Sequence, residues 1–102
     1  MMNLTKVVTE HRRLAILRTL DELGYNLNED VIHQALAEMS LASVSKDMVR
    51  ADLAYLEEHA LIRIDRLQKA NGQMWIAHLH VAGKEVANGR PHVGVAQRQP
   101  DC

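Results

Sequence analysis

The side chains best suited to contact another molecule lie together on the stretch from Ser45 to His59. The spacing of Val49, Leu53 and Leu56 predicts a helix whose apolar stripe faces inward. The opposite arc of this helix carries the candidate contact residues Ser45, Lys46, Asp47, Arg50 and Ala51. Lys46 and Arg50 give this arc two cations, and a helix start also favours phosphate.

Each of these residue types has a defined chemistry towards double-stranded DNA. Arg50 can read a base edge, because a guanidinium donates two parallel hydrogen bonds to guanine. Ser45 and Lys46 lie where the free N–H groups of a helix start also favour a phosphate. Asp47 can accept from a cytosine amino group or simply stabilise the positive end of the helix, and we favour the second interpretation.

A second group of cations follows in the next segment. Arg63, Arg66 and Lys69 precede Asn71-Gly72, a dipeptide that strongly favours the turn of a β-hairpin. The three side chains place positive charge on this hairpin. There they can lie along the phosphate backbone or in the minor groove of a duplex.

Other features favour a protein partner instead. Glu57 and Glu58 lie in the last turn of the same helix, where they oppose the helix dipole and repel phosphate. The formal net charge is −1, so non-specific affinity for nucleic acid should be modest. Lys46 and Arg50 are four residues apart and carry like charges, so no attractive pair along the helix restrains them. The interpretation that Lys46 and Arg50 lie on a solvated face without DNA contact therefore stays open.

Catalysis and metal binding have little support, and we expect no enzyme and no cofactor. His78 and His80 would share one face of an extended strand, but two imidazoles do not make a metal site. The single cysteine, Cys102, excludes a disulfide framework. The sequence has no apolar run of about 20 residues and no secretory signal, so we expect a reducing cytoplasm and no membrane.

Three helices are predicted before the hairpin. Thr5 can cap a first helix that runs to about Leu23 and ends at Gly24. Asn28 can cap a second helix, and Ser45 can cap the third. The second helix has one apolar stripe, made of Val31, Ile32, Ala35, Leu36 and Met39. The short turn from Ser40 to Val44 makes the second and third helices neighbours that pack at an angle.

The first helix is apolar on two sides. One side carries Ile16, Leu20 and Leu23, and the other carries Val7, Val8, Leu14 and Ala15. Such a helix must be covered twice. One cover is the core of the domain, and the other is the C-terminal helix, a partner subunit or both. A central helix in a small monomer is an equally good interpretation.

The hairpin strands are predicted at Leu61 to Leu67 and at Gln73 to Leu79. In the second strand, Ala77 and Leu79 should face the core, and Trp75 should cover the edge of the core.

The remaining predictions concern the C-terminus. A last helix is predicted from about Val81 to Asn88 despite Gly83, and Gly89 ends it. Arg90 to Cys102 contains Pro, Gly and scattered polar residues, which predicts a flexible tail.

The chain also resembles a known group of proteins. The run DMVRADLAYLEEHALIRID resembles the recognition-helix-to-wing segment of bacterial winged-helix regulators. More closely, the order of segments from about Arg12 to Arg90 resembles a small winged-helix family encoded by Mu-like phages and prophages. The matching segments are HRRLAILRTLDELG, NLNEDVIHQAL, SVSKDMVRADLAYLEEHALI and AHLHVAGKEVANGR. The chain departs from the family at Ala60, where Gly is usual, and at His80, where a capping Thr is common.

The predicted fold class is α+β and mainly helical, a winged helix-turn-helix with three N-terminal helices, a two-strand wing and a C-terminal helix. Residues 1–90 form this domain, and residues 91–102 form the tail. The resemblance implies a DNA-binding protein of phage origin. We expect a transcriptional regulator that acts as a homodimer through its first and last helices. The alternative is a winged-helix module for protein–protein interaction in phage assembly or host takeover.

Overall fold

The computed structural model describes residues 3–39 and 43–99. Within them the chain is an α+β domain, about half helical. The helices are α1 (Leu4–Glu22), α2 (Glu29–Glu38), α3 (Lys46–Glu58) and α4 (Val81–Ala87), and the strands are β1 (Asn26–Asn28), β2 (Ile62–Lys69) and β3 (Gly72–Leu79). Part of the predicted turn from Ser40 to Val44, residues 40–42, lies outside the described residues, as does Cys102.

Side-chain caps set where the first three helices begin. Asn28 and Ser45 each accept a hydrogen bond from a backbone N–H of the following turn, at 2.9 and 3.1 Å, as predicted. The predicted cap of α1 at Thr5 is wrong. Asn3 lies in the extended conformation before α1, and its side chain accepts from the Lys6 N–H at 3.1 Å. An Asn with its side-chain carbonyl free at that position caps at least as well as Thr, so the helix begins earlier.

The sheet has three antiparallel strands in the order β1-β3-β2, so the predicted two-strand sheet is wrong. The extra strand, β1, lies between α1 and α2, in a segment for which the sequence predicts no strand. Leu27 pairs with Ala77 in the register and packs against the core. A three-residue strand of sequence Asn-Leu-Asn is too short to show alternation. It forms because β3 offers a second free edge beside it.

The hairpin of β2 and β3 forms as predicted, but its two loop residues are Ala70 and Asn71, one position earlier than the predicted Asn71-Gly72 turn. Lys69 pairs with Gly72, which has a φ of 124°, a conformation that glycine adopts without steric cost. Ala77 is buried, and Trp75 packs at the edge of the core, both as expected.

The turn after α3 places a residue other than glycine in the left-handed conformation. The Leu61 N–H donates to the Leu56 carbonyl at 3.0 Å, and Ala60 lies between them with a φ of 59°. This left-handed position after a helix is normally occupied by Gly. The methyl group of Ala60 therefore strains the turn between α3 and β2.

The short helix α4 packs very closely on the preceding turn. A Cβ placed on Gly83 would lie 2.1 Å from the Leu61 carbonyl oxygen, so a glycine is required inside this helix. His80 occupies the position before α4 but makes no side-chain cap. Its Nδ1 lies 3.1 Å from the Ala60 carbonyl oxygen instead. Ala60 and His80, the two positions where the chain departs from the family that it resembles, are thus in contact at one turn.

The core lies between the helices and the inner face of the sheet. The described side chains that are most fully buried and apolar include Ile16, Leu17, Leu20, Ile32, Leu36, Val49, Leu53, Leu56, Leu61 and Ile62. The prediction that Leu23 lies with them is wrong, since Leu23 is more than half exposed at the end of α1. The predicted stripe of α3 at Val49, Leu53 and Leu56 is confirmed.

Residues 91–99, which were predicted as part of a flexible tail, are packed on the domain. Val95 is buried in the core. The Tyr55 hydroxyl donates to the Val93 carbonyl at 2.9 Å, and the Ala96 N–H donates to the Glu10 carbonyl at 3.0 Å. One apolar side chain and several backbone bonds hold this segment, although its Gly and Pro content suggested a tail. Over the described ranges, no helix is long and apolar enough to span a membrane.

Candidate nucleic-acid interface

The start of α3 exposes the side chains that the helical spacing placed there. Lys46, Asp47 and Ala51 are all exposed, and Ser45 is used as the cap. Lys46 Nζ lies 3.5 Å from an Asp30 oxygen, but its side chain is 70% exposed, so this pair contributes little. The first turns of α3 therefore present one weakly compensated cation.

Arg50 is not free, contrary to what its helix neighbours suggested. Its Nε donates to Glu29 Oε1 at 2.7 Å, and its Nη2 donates to Glu29 Oε2 at 2.8 Å. The same Nη2 donates to the Gln73 carbonyl at 2.8 Å. The guanidinium thus joins the N-terminus of α2 to the beginning of β3. A restraining partner exists after all, and it comes from another helix.

Glu29 is the buried centre of this arrangement. Its side chain is 7% exposed, and Oε2 also accepts from the backbone N–H of Trp75 at 2.6 Å. The hydrogen bonds from Arg50 hold the pKa of Glu29 below its ordinary value, against the opposing effect of burial. In turn, the Glu29 carboxylate raises the pKa of Arg50. Both groups are therefore charged at neutral pH.

Two guanidinium groups contact the ring of Trp75. The Arg50 and Arg66 Cζ atoms lie 4.6 and 4.5 Å from ring centroids of Trp75, which is cation–π distance. Arg66 also donates to both oxygens of Glu57, at 2.8 and 3.2 Å. This contact lowers the pKa of Glu57 and raises that of Arg66. Glu57, which we expected to repel phosphate, instead neutralises a cation of the hairpin.

The other two hairpin cations lie on the opposite face of the sheet. Arg63 and Lys69 alternate with Arg66 along β2, so they face outward while Arg66 faces α3. Arg63 has one loose contact, with Asp65 at 3.5 Å. Lys69 is exposed next to the turn, and no ion pair to another described residue is recorded for it. Lys46, Arg63 and Lys69 are therefore the predicted site cations with the least compensation.

The start of α3 and the start of β3 line one recess. It has a volume of about 330 Å³, and its walls carry Glu29, Asp30, Lys46, Asp47, Arg50, Gln73 and Met74. The structure thus brings the α3 candidates next to the hairpin. Among the hairpin cations, only Arg66 lies near the α3 candidates. Its guanidinium contacts the same Trp75 ring as that of Arg50.

Two polar clusters were missed in the sequence. Asp52 is almost fully buried and accepts from both Arg12 and Arg13, which come from α1. The signal was a carboxylate placed among the apolar positions of α3. On the outer face of the sheet, His78 contacts Asn26 at 2.7 Å and Asp65 at 2.7 Å.

The histidine pair does not form a metal site. His78 contacts side chains of β1 and β2, whereas the ring of His80 lies against the Ala60 carbonyl oxygen. Among residues 3–39 and 43–99, no group of three or more His, Cys, Asp or Glu side chains is placed to hold a metal ion.

The fold and this polar face define a small α+β domain in which a helix start adjoins a β-hairpin. No family model matches the sequence, and no solved structure matches it. An uncharacterised protein of Haemophilus influenzae (strain KW20 Rd) is 39% identical over 67 residues, 66% of this chain and 65% of that protein, slightly under two thirds of its length. The uncharacterised protein gp26 of Escherichia phage Mu is 33% identical over 95 residues, 92% of this chain and 94% of the phage protein. The chain belongs to the family of Mu gp26.

Proposed function

We propose that this protein is a small winged helix-turn-helix protein that binds double-stranded DNA as a homodimer and regulates transcription in a phage or prophage. The observation that carries the proposal is the shared recess between the start of α3 and the start of β3. A recognition helix and a wing must adjoin in this way to contact one duplex together.

The element order supports the winged-helix assignment. The helices α2 and α3 follow each other closely, and the hairpin of β2 and β3 follows α3 directly. The strand β1 between α1 and α2 completes a sheet of order β1-β3-β2. In this assignment α3 enters the major groove and the hairpin is the wing.

In the proposed DNA contact, the exposed side chains belong to two elements, α3 and the wing. Ser45 and Lys46 at the start of α3 face a phosphate, and the methyl group of Ala51 can contact a thymine methyl group. Lys69, beside the turn at the tip of the wing, lies along the backbone, whereas Arg63 lies near the base of β2 on the opposite face of the sheet and is left out of this contact. Arg50 acts by holding the wing against α3, because its donors are already used by Glu29 and Gln73.

Fluorescence anisotropy over a salt series tests this proposal. The probes are a pool of random duplexes and the DNA upstream of the gene. Lys46→Gln and Lys69→Gln should each weaken binding and reduce the slope of log affinity against log salt by about 0.9, the value for one phosphate contact. Lys6→Gln removes the same charge from an exposed position of α1 and should leave the slope unchanged. Equal slopes for all three variants, or no binding at low salt, would refute the proposal.

A second candidate function is supported by one observation. Arg50 and Arg66 are each neutralised by a carboxylate within the chain, so the face of α3 carries little net positive charge. This balance suits a winged-helix module that binds a protein in phage assembly or host takeover. Such a complex should persist in Lys46→Glu and Lys69→Glu variants, which would abolish DNA binding.

A further inference from the structure

An open apolar groove lies between α1 and α2. It has a volume of about 500 Å³, and its apolar walls are Val7, Val8, Leu14 and Ala15 from α1, with Leu36, Met39 and Val44 opposite. Val8 and Met39 are each more than 40% exposed, and Leu4, on the same stripe of α1, is 68% exposed. This is the second apolar side of the first helix. The described residues bury Leu14 but leave the N-terminal part of this side, with Leu4 and Val8, exposed.

The stripe along α1 is symmetric about His11. Leu4, Val7 and Val8 precede His11 by seven, four and three residues, and Leu14, Ala15 and Arg18 follow it by three, four and seven. An antiparallel second copy, related by a two-fold axis at His11, would place Val7 against Ala15 and Val8 against Leu14. Such self-complementarity is what a two-fold symmetric interface requires.

The charges around the groove also favour a second copy over an anionic ligand. Arg12 is paired with Asp52, and Arg18 lies 3.6 Å from Glu22. Among the described lining residues, His11 is the one ionisable side chain for which no ion pair is recorded. An anion would therefore meet cations that already have partners, whereas an uncharged apolar helix face matches the walls.

We infer that α1 of a second copy occupies this groove, antiparallel to α1 and centred on His11, and that this contact is the dimer interface. The inference rests on the homodimer of the proposed function. It replaces the expectation that the last helix takes part in the dimer contact. In one chain, α4 already packs on α1, where Asn88 Nδ2 donates to Asp21 Oδ2 at 3.0 Å and Lys84 Nζ lies 3.4 Å from Asp21 Oδ1. The stripe from Leu4 to Arg18 is about 21 Å long, enough for a full helix–helix contact.

Disulfide cross-linking without DNA tests the interface. In a Cys102→Ser background, His11→Cys lies on the two-fold axis and should form a disulfide-linked dimer at micromolar concentration under mild oxidation. Glu22→Cys is the matched control, since it lies on the same face of the same helix but about 16 Å further along it. We expect cross-linking of His11→Cys to be at least about tenfold faster. Equal rates for the two variants would overturn the inference.

Sedimentation velocity gives a second, independent measurement. Val8→Asp puts a charge into the groove and should convert the dimer to a monomer. Val31→Asp makes the same change at an equally exposed position of α2 that does not line the groove, and it should leave the dimer intact. A wild-type protein that is monomeric at high micromolar concentration would refute the interface. Because no DNA is present, that result is distinct from a failure of DNA binding.

Discussion

Glu29 and Arg50 together take the place of a strand beside β3. The strand β1 ends at Asn28, opposite Ile76, and beyond that point side chains of α2 and α3 bond the Trp75 N–H and the Gln73 carbonyl of β3. Glu29 accepts from the first at 2.6 Å, and Arg50 donates to the second at 2.8 Å. A salt bridge between two helices thus satisfies the edge of the sheet and fixes the hairpin relative to α3.

Removing Arg50 should therefore destabilise the fold more than removing an ordinary surface cation. Arg50→Ala leaves the buried Glu29 carboxylate with the Trp75 N–H alone. Breaking a fully buried pair costs about 3–5 kcal/mol, and because Arg50 is 36% exposed we expect about 2 kcal/mol. Urea denaturation measures the loss. Arg63→Ala is the control and should change the free energy of unfolding by less than about 0.5 kcal/mol.

The same pair predicts how stability depends on pH. The contact with Arg50 lowers the pKa of Glu29 in the folded protein, whereas a Glu in an unfolded chain has a pKa of about 4.3. Between these two values the unfolded chain binds more protons, so the stabilisation is complete above about pH 4.3 and is lost as the pH falls through the folded pKa. The difference in free energy of unfolding between wild type and Glu29→Gln should shrink over that window. A difference that stays constant down to pH 3 would contradict this account.

The strained turn after α3 offers a stabilising substitution. Ala60 has a φ of 59°, so Ala60→Gly should remove the strain and raise the free energy of unfolding by about 1 kcal/mol. Ala54→Gly makes the same change at an exposed position within α3 and should lower it by about 1 kcal/mol. Thermal unfolding of both variants checks the opposite signs. Destabilisation by both would show that Ala60 is not strained.

The packed C-terminal segment predicts a cost of truncation. A chain that ends at residue 90 loses the burial of Val95 and the bond from Tyr55 to Val93, so it should be less stable by about 2 kcal/mol or more. A chain that ends at residue 99 should match wild type. Equal stability of the two truncated chains would instead support a flexible tail.

Local signals were sufficient for the helices and the hairpin. Asn28 and Ser45 coincide with the start of an apolar stripe, and Asn71-Gly72 lies between two segments of alternating spacing. The strand β1 could not be predicted, because it depends on a free edge of β3 rather than on its own residues. Likewise, the position of the segment around Val95 depends on hydrogen bonds from Ala96 to α1 and from α3 to Val93.

For the candidate site, the sequence predicts which side chains of α3 are exposed but not which partners they contact. Helical spacing places Lys46 and Asp47 on the outer arc of α3. The pairing of Arg50 with Glu29 joins residues 21 apart in sequence, and that of Arg66 with Glu57 joins residues 9 apart. Both pairs depend on how α2 and β2 pack on α3, which charge patterns along one helix do not encode.

A single measurement tests the central proposal most directly, namely a nitrogen-15 NMR titration of this 11.5 kDa chain with a duplex at low salt. If α3 and the wing form one DNA-contacting face, the amide signals of residues 45–51 and 69–72 should shift together and saturate together. Signals along the groove face of α1, such as those of Val7 and Val8, should not move with them. Unchanged spectra, or shifts confined to α1 and α2, would contradict DNA binding through α3.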